Sequence, residues 1–423
     1  MINENHSFEK HSNLITHEIV DFMSYARQQK FISGETIRNT VNKVLENMKR
    51  VTNYDMIHIL FDSYKSLSIK GCERGRRKGE EDGIELACID DSVVVPETVD
   101  RFWSVSGNKE KLQLFAKEKA LNQVDNLILS SMVVDDEIID CLHKTSTEEM
   151  IITELNSWDE EADDRVVLHT EWEIRKGAKR VVVLSKDSDT LILLLRYLDH
   201  FIKSGLLELW LQYGTSENRR VIPLHSWYAE LGVDWCQVLI KVHIITGNDY
   251  LSAVGTKLAA IRMSPLTYLL GFGESEVMTE MDVSLVEQYL VLVWNGARGT
   301  TSAKTFDELR VEMYNKSTVV SLDKLPPTSS VMRQHLIKGF NLVRRALTLL
   351  EPNRNPFDPV NKGWFVENDV LYPCKGLKRL PEDVIGVCGC NGKCRGRCKC
   401  AAAGRICVTF CHKNSGEKCE NKK

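Results

Sequence analysis

The stretch VVVLSKDSDTLILLL, Val181 to Leu195, runs four apolar residues into two carboxylates, Asp187 and Asp189, and then into a second apolar run. A short β-branched run closed by polar residues predicts a buried strand, and the spacing after it predicts a helix from Thr190 to about Ser204. A strand that is apolar on both faces belongs in a parallel sheet covered by helices on either side. The neighbouring segments agree. EEADDRVVLHTEWEIRKG, from Glu160, reads as a helix stopped by Gly177, LLELWLQYG as a strand, and DWCQVLIKVHIITGNDY as a helix ending in a turn at Gly247. Near the start of the chain, LITHEIVDF and YDMIHILFD read as strands ending in Asp21 and Asp62, with the helix SGETIRNTVNKVLENMKR between them. Such alternation predicts an α/β fold with a mostly parallel sheet flanked by helices.

Side-chain alternation along the strand would turn Asp187 and Asp189 to one side at its C-terminal end, the usual edge for sites in open α/β sheets. Asp21 and Asp62 end two other strands, Asp249 follows the Gly247 turn, and Glu161 with Asp163 opens a helix, with Glu160 as a substitute. Seven carboxylates are therefore expected at one sheet edge. Unpaired, they would repel one another and raise their own pKa values, so divalent cations are the natural partner. An all-oxygen donor set favours Mg²⁺ or Mn²⁺ over Zn²⁺. Plainer roles exist for the same residues: an Asp pair after a strand also caps helices, and acids suit a helix start.

The order IVD, FDSY, EEAD, SKDSDT, TGNDY resembles the acid series of the flap endonuclease and XPG nucleases, which have a PIN-like fold. The resemblance is densest from Glu160 to Gly255. It implies a Mg²⁺- or Mn²⁺-dependent phosphodiester hydrolase in which Asp21, Asp62, Glu161, Asp163, Asp187, Asp189 and Asp249 hold two cations. It also implies that the basic run IKGCERGRRKG, with Lys70, Arg74, Arg76, Arg77 and Lys78, faces nucleic-acid phosphate. The chain departs from the family at four points. Ser63 replaces a Gly, Asp163 a longer Glu, Asn248 a Cys or Ser, and the Gly-rich loop after Asp249 becomes LSAVGTKLAA.

A different chemistry closes the chain. Residues 374–423 carry 12 Lys and Arg against 4 Asp and Glu, so the formal charge of −4 divides into +8 here and −12 in the other 373 residues. Nine of the 13 cysteines lie here too. With neither an export signal nor an apolar run long enough for a membrane, an intracellular setting is expected, where such a cluster is a metal site rather than a disulfide framework. Cys388, Cys390, Cys394, Cys398, Cys400, Cys407, Cys411 and Cys419 follow the spacing CxC-x3-C-x3-C-x-C-x6-C-x3-C-x7-C. So many thiols in so few residues leave no room for an apolar core, so Zn²⁺ would supply the folding energy. The paired CxC units resemble the tesmin/TSO1-like CXC domain, which implies a cluster of up to three Zn²⁺ and DNA binding through interleaved basic residues, here Arg395, Arg397 and Lys399. That family has one more cysteine after VTF; either His412 or Cys374 would stand in for it, or the cluster would hold fewer metals.

The organisation expected is a nuclease domain over 1–300, a helical extension and connector over 301–373, and a zinc-binding domain over 374–423. In the extension, Arg344 and Arg345 are expected on an exposed helix face. The whole arrangement also resembles a set of invertebrate proteins linked to mobile elements. The expectation is a nuclear enzyme acting on nucleic acid, DNA first. The rival is a DNA-binding adaptor whose α/β body is inactive and whose cysteine tail carries the function.

Overall fold

The computed structural model describes residues 14, 16–51, 55–65, 68–72, 83–213, 220–296, 300–316, 325–351, 355–376, 388, 390, 394, 398–402, 407, 411, 419 and 421. The chain divides into two compact units, one of Met1–Lys241, Leu342–Pro359 and Val366–Tyr372, the other of Val242–Asn341, Val360–Phe365 and Pro373–Lys423. No helix among the described residues is long and apolar enough to cross a membrane.

The elements of the first unit are, in chain order, β1 (Thr16–Asp21), α1 (Phe22–Ala26), α2 (Ile37–Val51), β2 (Met56–Leu60), α3 (Val99–Ser104), α4 (Ser106–Gln123), β3 (Leu127–Leu129), β4 (Met132–Val134), β5 (Glu137–Ile139), β6 (Leu142–Lys144), β7 (Glu149–Ile151), α5 (Ala162–Arg175), β8 (Arg180–Leu184), α6 (Ser188–Lys203), β9 (Glu208–Tyr213), β10 (Arg220–Pro223) and α7 (Leu224–Leu231). Eight strands form one sheet in the order β10-β9-β8-β1-β2-β3-β6-β7. The central pairs β9·β8, β8·β1, β1·β2 and β2·β3 are parallel, and the edge pairs are antiparallel. The parallel α/β reading of the sequence holds. What it omitted is the segment from β3 to β7, whose strands of three residues are too short to show a period.

Each strand of the centre feeds one residue set to each face. Val20, Ile59, Leu129 and Leu184 pack with Ile37, Val41 and Val44 of α2 and Leu112, Phe115 and Ala116 of α4. The other face carries Ile19, His58 and Ile128 in register and lies under α5. There Glu173 accepts from both His17 and His58, and His58 Nδ1 lies 2.8 Å from His169 Nδ1. Burial holds His58 below the usual histidine range and His169 well below it. Burial pushes Glu173 up, but the two histidine hydrogen bonds outweigh it and hold the carboxyl at about 2.

Helix α8 (Val233–Ile245) runs across the division at Val242; α9 (Lys257–Arg262), α10 (Pro265–Leu269), α11 (Glu280–Asn295) and α12 (Phe306–Lys316) lie in the second unit, and α13 (Ser329–Leu347) begins there and runs past Asn341. A hairpin of β11 (Trp364–Glu367) and β12 (Val370–Pro373) and the short helix α14 (Lys399–Ala402) follow. Helix α11 starts on a capping box of Thr279 and Asp282 and buries Val286, Tyr289, Leu290 and Val293. Gly255 is obligatory: its φ is +67°, and a Cβ would stand 2.7 Å from Val293 Cγ1.

Candidate functional site

The strands β8, β1 and β2 are adjacent and parallel, so the segments that leave their C-terminal ends meet at one edge. Asp21 ends β1 and caps α1, its Oδ1 accepting the Ser24 N–H at 2.9 Å. Asp62 follows β2. Its backbone is pinned by Gln113, which accepts the Asp62 N–H at 2.8 Å and donates to the Asp62 carbonyl at 3.1 Å. Its Oδ1 takes the Ala162 N–H at 2.9 Å, joining the end of β2 to the start of α5. Glu161 holds the N-cap position of α5 without bonding that helix, and Lys70 Nζ donates to its Oε2 at 2.6 Å. Asp163, in the first turn of α5, accepts from the Thr190 hydroxyl.

Asp187 and Asp189 share a side for a reason other than strand alternation. Strand β8 stops at Leu184, and helix α6 begins at Ser188, two residues before the start expected from the apolar spacing. Asp187 is its N-cap, with Oδ1 accepting the Asp189 N–H at 3.1 Å. Capping decides the boundary because it supplies an acceptor for a first-turn N–H, which hydrophobic periodicity does not register.

Burial and mutual charge repulsion act on several of these groups. Burial, then the charge of Asp62, with further contributions from Asp187 and Glu161, raises Asp21 to about 7. Burial and Glu161 raise Asp62, against the opposing charge of Lys70. Asp163 is pushed well above the carboxylate range by burial, Asp21, Asp187 and Asp189. Six of the seven expected acids therefore act on one another. Oxygen donors of this kind suit a hard divalent cation, whereas among the described residues only the cysteines bring three or more ligand atoms within 4.8 Å of one another.

Asp249 belongs to the second unit. It is exposed, in the turn after α8, where Asn248 Oδ1 accepts from the N–H groups of Tyr250 (3.0 Å) and Leu251 (3.1 Å). Asn248 thus builds the turn. Gly247 is fixed by its φ of +109° and by Ala253 Cα, 2.5 Å from where a Cβ would lie.

Sequence reasoning did not single out Arg165 or the bracing that it and Ser63 give the segment between β2 and α5. Arg165 is fully buried, donating to the Phe61 carbonyl and Ser63 Oγ at 2.8 Å each and to the Asp159 carbonyl. Ser63 Oγ also accepts the Val133 N–H at 2.8 Å, and the Ser63 N–H donates to the Glu160 carbonyl at 2.7 Å. The serine in place of a glycine is a junction between β2, β4 and α5. Glu160 accepts from Ser68 Oγ at 2.7 Å, and burial raises its pKa. Arg345 corrects the expectation of an exposed face: its side chain is 10% exposed and donates to Asp164 Oδ2 at 2.5 Å and Asp159 Oδ1 at 3.4 Å. An arginine amid acids reads as surface charge, and only the fold shows which guanidinium is enclosed.

Of the nucleic-acid candidates, Lys70 is paired with Glu161 and Lys399 is exposed at the start of α14. Arg74, Arg76, Arg77, Lys78, Arg395 and Arg397 lie outside the described residues, as does His412.

The thiols form two sets that could hold metal. Cys388, Cys394, Cys398 and Cys407 make one, and Cys388, Cys400, Cys407 and Cys411 the other, each with its sulfurs within 4.8 Å of one another. Cys388 and Cys407 belong to both. Sulfur separations of 3.8 Å (Cys388–Cys394), 3.7 Å (Cys388–Cys407), 3.9 Å (Cys398–Cys407) and 3.6 Å (Cys400–Cys411) bracket the edge of about 3.8 Å that a tetrahedron with Zn–S bonds of about 2.3 Å requires. Cys390 and Cys419 pack against this core, while Cys374 is in neither set. Hydrogen bonding from the Ala401 N–H leads the effects that bring Cys398 down to about 6, toward the thiolate that metals bind.

No family model and no curated protein matches the chain. Among solved structures it is similar to the bacteriophage T5 flap endonuclease, seen in a variant's pseudo-enzyme–product complex with DNA and metal ions, at 12% identity and a TM-score of 0.32 over 66% of this chain and 89% of that one. It is also similar to the T5 D15 protein co-crystallised with metal ions, at 12% identity and a TM-score of 0.33 over 79% of this chain and 100% of that one. Likeness at that level carries no weight for the activity of this chain.

Proposed function

We propose that the protein is a nuclease that hydrolyses phosphodiester bonds of nucleic acid, DNA first, with Mg²⁺ or Mn²⁺ held by the acidic cluster. The observation that carries this reading is the meeting of Asp21, Asp62, Glu161, Asp163, Asp187 and Asp189 at the ends of three adjacent parallel strands, with Asp21, Asp62 and Asp163 raised above their ordinary pKa. Lys70 offsets Glu161 and Asp62, while Asp21 and Asp163 face further acids. A bound pair of cations would supply an activated water and stabilise the leaving oxygen. The chain's own residues hold the acids apart at fixed positions, through Gln113 on Asp62, Ser24 on Asp21 and Ala162 between strand and helix. Lys70 brings a cation to Glu161 and is the described basic group suited to meet phosphate. Asp249 is proposed as a further ligand on the sequence pattern alone.

The cysteine tail, in this reading, is a zinc-bound nucleic-acid module of the CXC kind over residues 374–423, after a nuclease domain over 1–300 and a connector over 301–373, and the protein acts in the nucleus. The test is cleavage of labelled single-stranded, flapped and duplex DNA and of RNA by purified protein with Mn²⁺ or Mg²⁺. An Asp187→Asn, Asp189→Asn double variant is expected to lose at least about 10³-fold in rate, the scale of a lost electrostatic clamp, while keeping its zinc. Equal cleavage by variant and parent would remove the acidic cluster from the reaction.

A further inference from the structure

The two thiol sets are joined in a way that fixes how many ions they can hold. Two four-coordinate ions need eight sulfur contacts, and the sets supply them from six sulfurs, because Cys388 and Cys407 belong to both. Each of those two sulfurs would therefore bridge. Their separation of 3.7 Å matches one edge of a tetrahedron with Zn–S bonds of about 2.3 Å, so the two tetrahedra meet along an edge rather than at a corner. Cys394 and Cys398 complete the first, and Cys400 and Cys411, 3.6 Å apart, complete the second. All six residues are at most 4% exposed, which leaves water little access as a competing ligand. Cys390 and Cys419 pack against this core, yet among the described residues neither completes a further set.

We propose that the tail holds a binuclear cluster, two Zn²⁺ on six thiolates with Cys388 and Cys407 as the bridges, in place of the three-ion cluster of the family it resembles. This rests on the zinc-binding reading of the tail. A ninth ligand is then not needed, and Cys390 and Cys419 stand outside the coordination. Sharing couples the two ions. A terminal thiolate serves one of them, whereas a bridge serves both, so the loss of a bridge dismantles both tetrahedra and with them the binding energy that folds the tail.

The experiment uses the full-length protein, purified with a reductant and loaded with Zn²⁺, or with Co²⁺ as a paramagnetic substitute. Native mass spectrometry is expected to count two Zn²⁺ per chain in the parent, in Cys390→Ser and in Cys419→Ser. Cys400→Ser, which removes a terminal ligand, is expected to keep one ion, and Cys407→Ser, which removes a bridge, to lose both. In the Co²⁺ protein, spins joined through sulfur bridges couple, so the parent is expected to lose the paramagnetic resonance that the single ion of Cys400→Ser retains. Far-UV circular dichroism confirms that the α/β unit of each variant is folded. One or three Zn²⁺ per chain, loss of an ion from Cys390→Ser or Cys419→Ser, or two Co²⁺ with undiminished resonance would each overturn the proposal and leave the zinc-binding tail standing. A parent protein that retains no metal would overturn the proposal together with the reading it rests on.

Discussion

The acidic cluster and the cysteine cluster are brought together by opposite means. At the sheet edge, three parallel strands with apolar faces fix where Asp21, Asp62 and Asp187 emerge, the Ser24 and Ala162 N–H groups bond the Asp21 and Asp62 carboxylates, and Gln113 pins the Asp62 backbone. The scaffold meets the cost of holding like charges together. In the tail the buried cluster is made of the thiols themselves: Cys388, Cys394, Cys398, Cys400, Cys407 and Cys411 are the core. There an ion would hold the chain, whereas at the sheet edge the chain would hold the ion.

That contrast breaks most visibly under chelation. Structural zinc in small modules is bound by about 10–16 kcal/mol, so stripping it should unfold the tail and leave the helical far-UV signal of the α/β unit. Cys388→Ser, which touches both thiol sets, should lose more metal by mass spectrometry than Cys394→Ser, which touches one. Equal losses would mean that the sets do not share a sulfur.

The acidic site should behave in reverse, gaining stability when its charge is relieved. Asp21 has a folded pKa of about 7 against 3.8, so its favourable contribution is complete below about pH 4 and is lost as pH rises through 7. A tenfold change in proton affinity on folding corresponds to about 1.4 kcal/mol. Melting in the absence of divalent ions should therefore show a decline toward pH 8, a few kcal/mol in scale, that Asp21→Asn or saturating Mn²⁺ flattens. His58 and His169 act in the other direction. Both are held neutral by burial, so their contribution is whole above about pH 6.5 and is lost as pH falls below it, giving the acid limb of the same curve. A curve that Asp21→Asn leaves unchanged would show that the carboxylate is not under strain.

The smallest effect sharpens the comparison from the scaffold's side. Ser63→Gly would restore the residue type of the resembled family yet remove an acceptor shared by the Arg165 guanidinium and the Val133 N–H. We expect a loss of about 2 kcal/mol, the scale of a buried hydrogen bond to a charged group, read as a lower melting temperature. An unchanged melting temperature would mean that the junction between β2 and α5 is held elsewhere.

By itself the sequence determined the α/β class, the buried strand Arg180–Leu184, the helix stopped at Gly177 and the residue types at both clusters, because these follow from apolar periodicity, turn residues and spacing along the chain. Only the tertiary structure decided that Asp187 is a cap rather than a strand residue, that Ser63 and Arg165 tie the end of β2 to the segment before α5, and that Cys388 and Cys407 belong to both thiol sets that could hold metal. The physical reason is common to all three. A hydrogen bond or a shared ligand depends on which atoms from distant segments come within about 3–4 Å, and neither charge nor hydropathy along the chain encodes that distance.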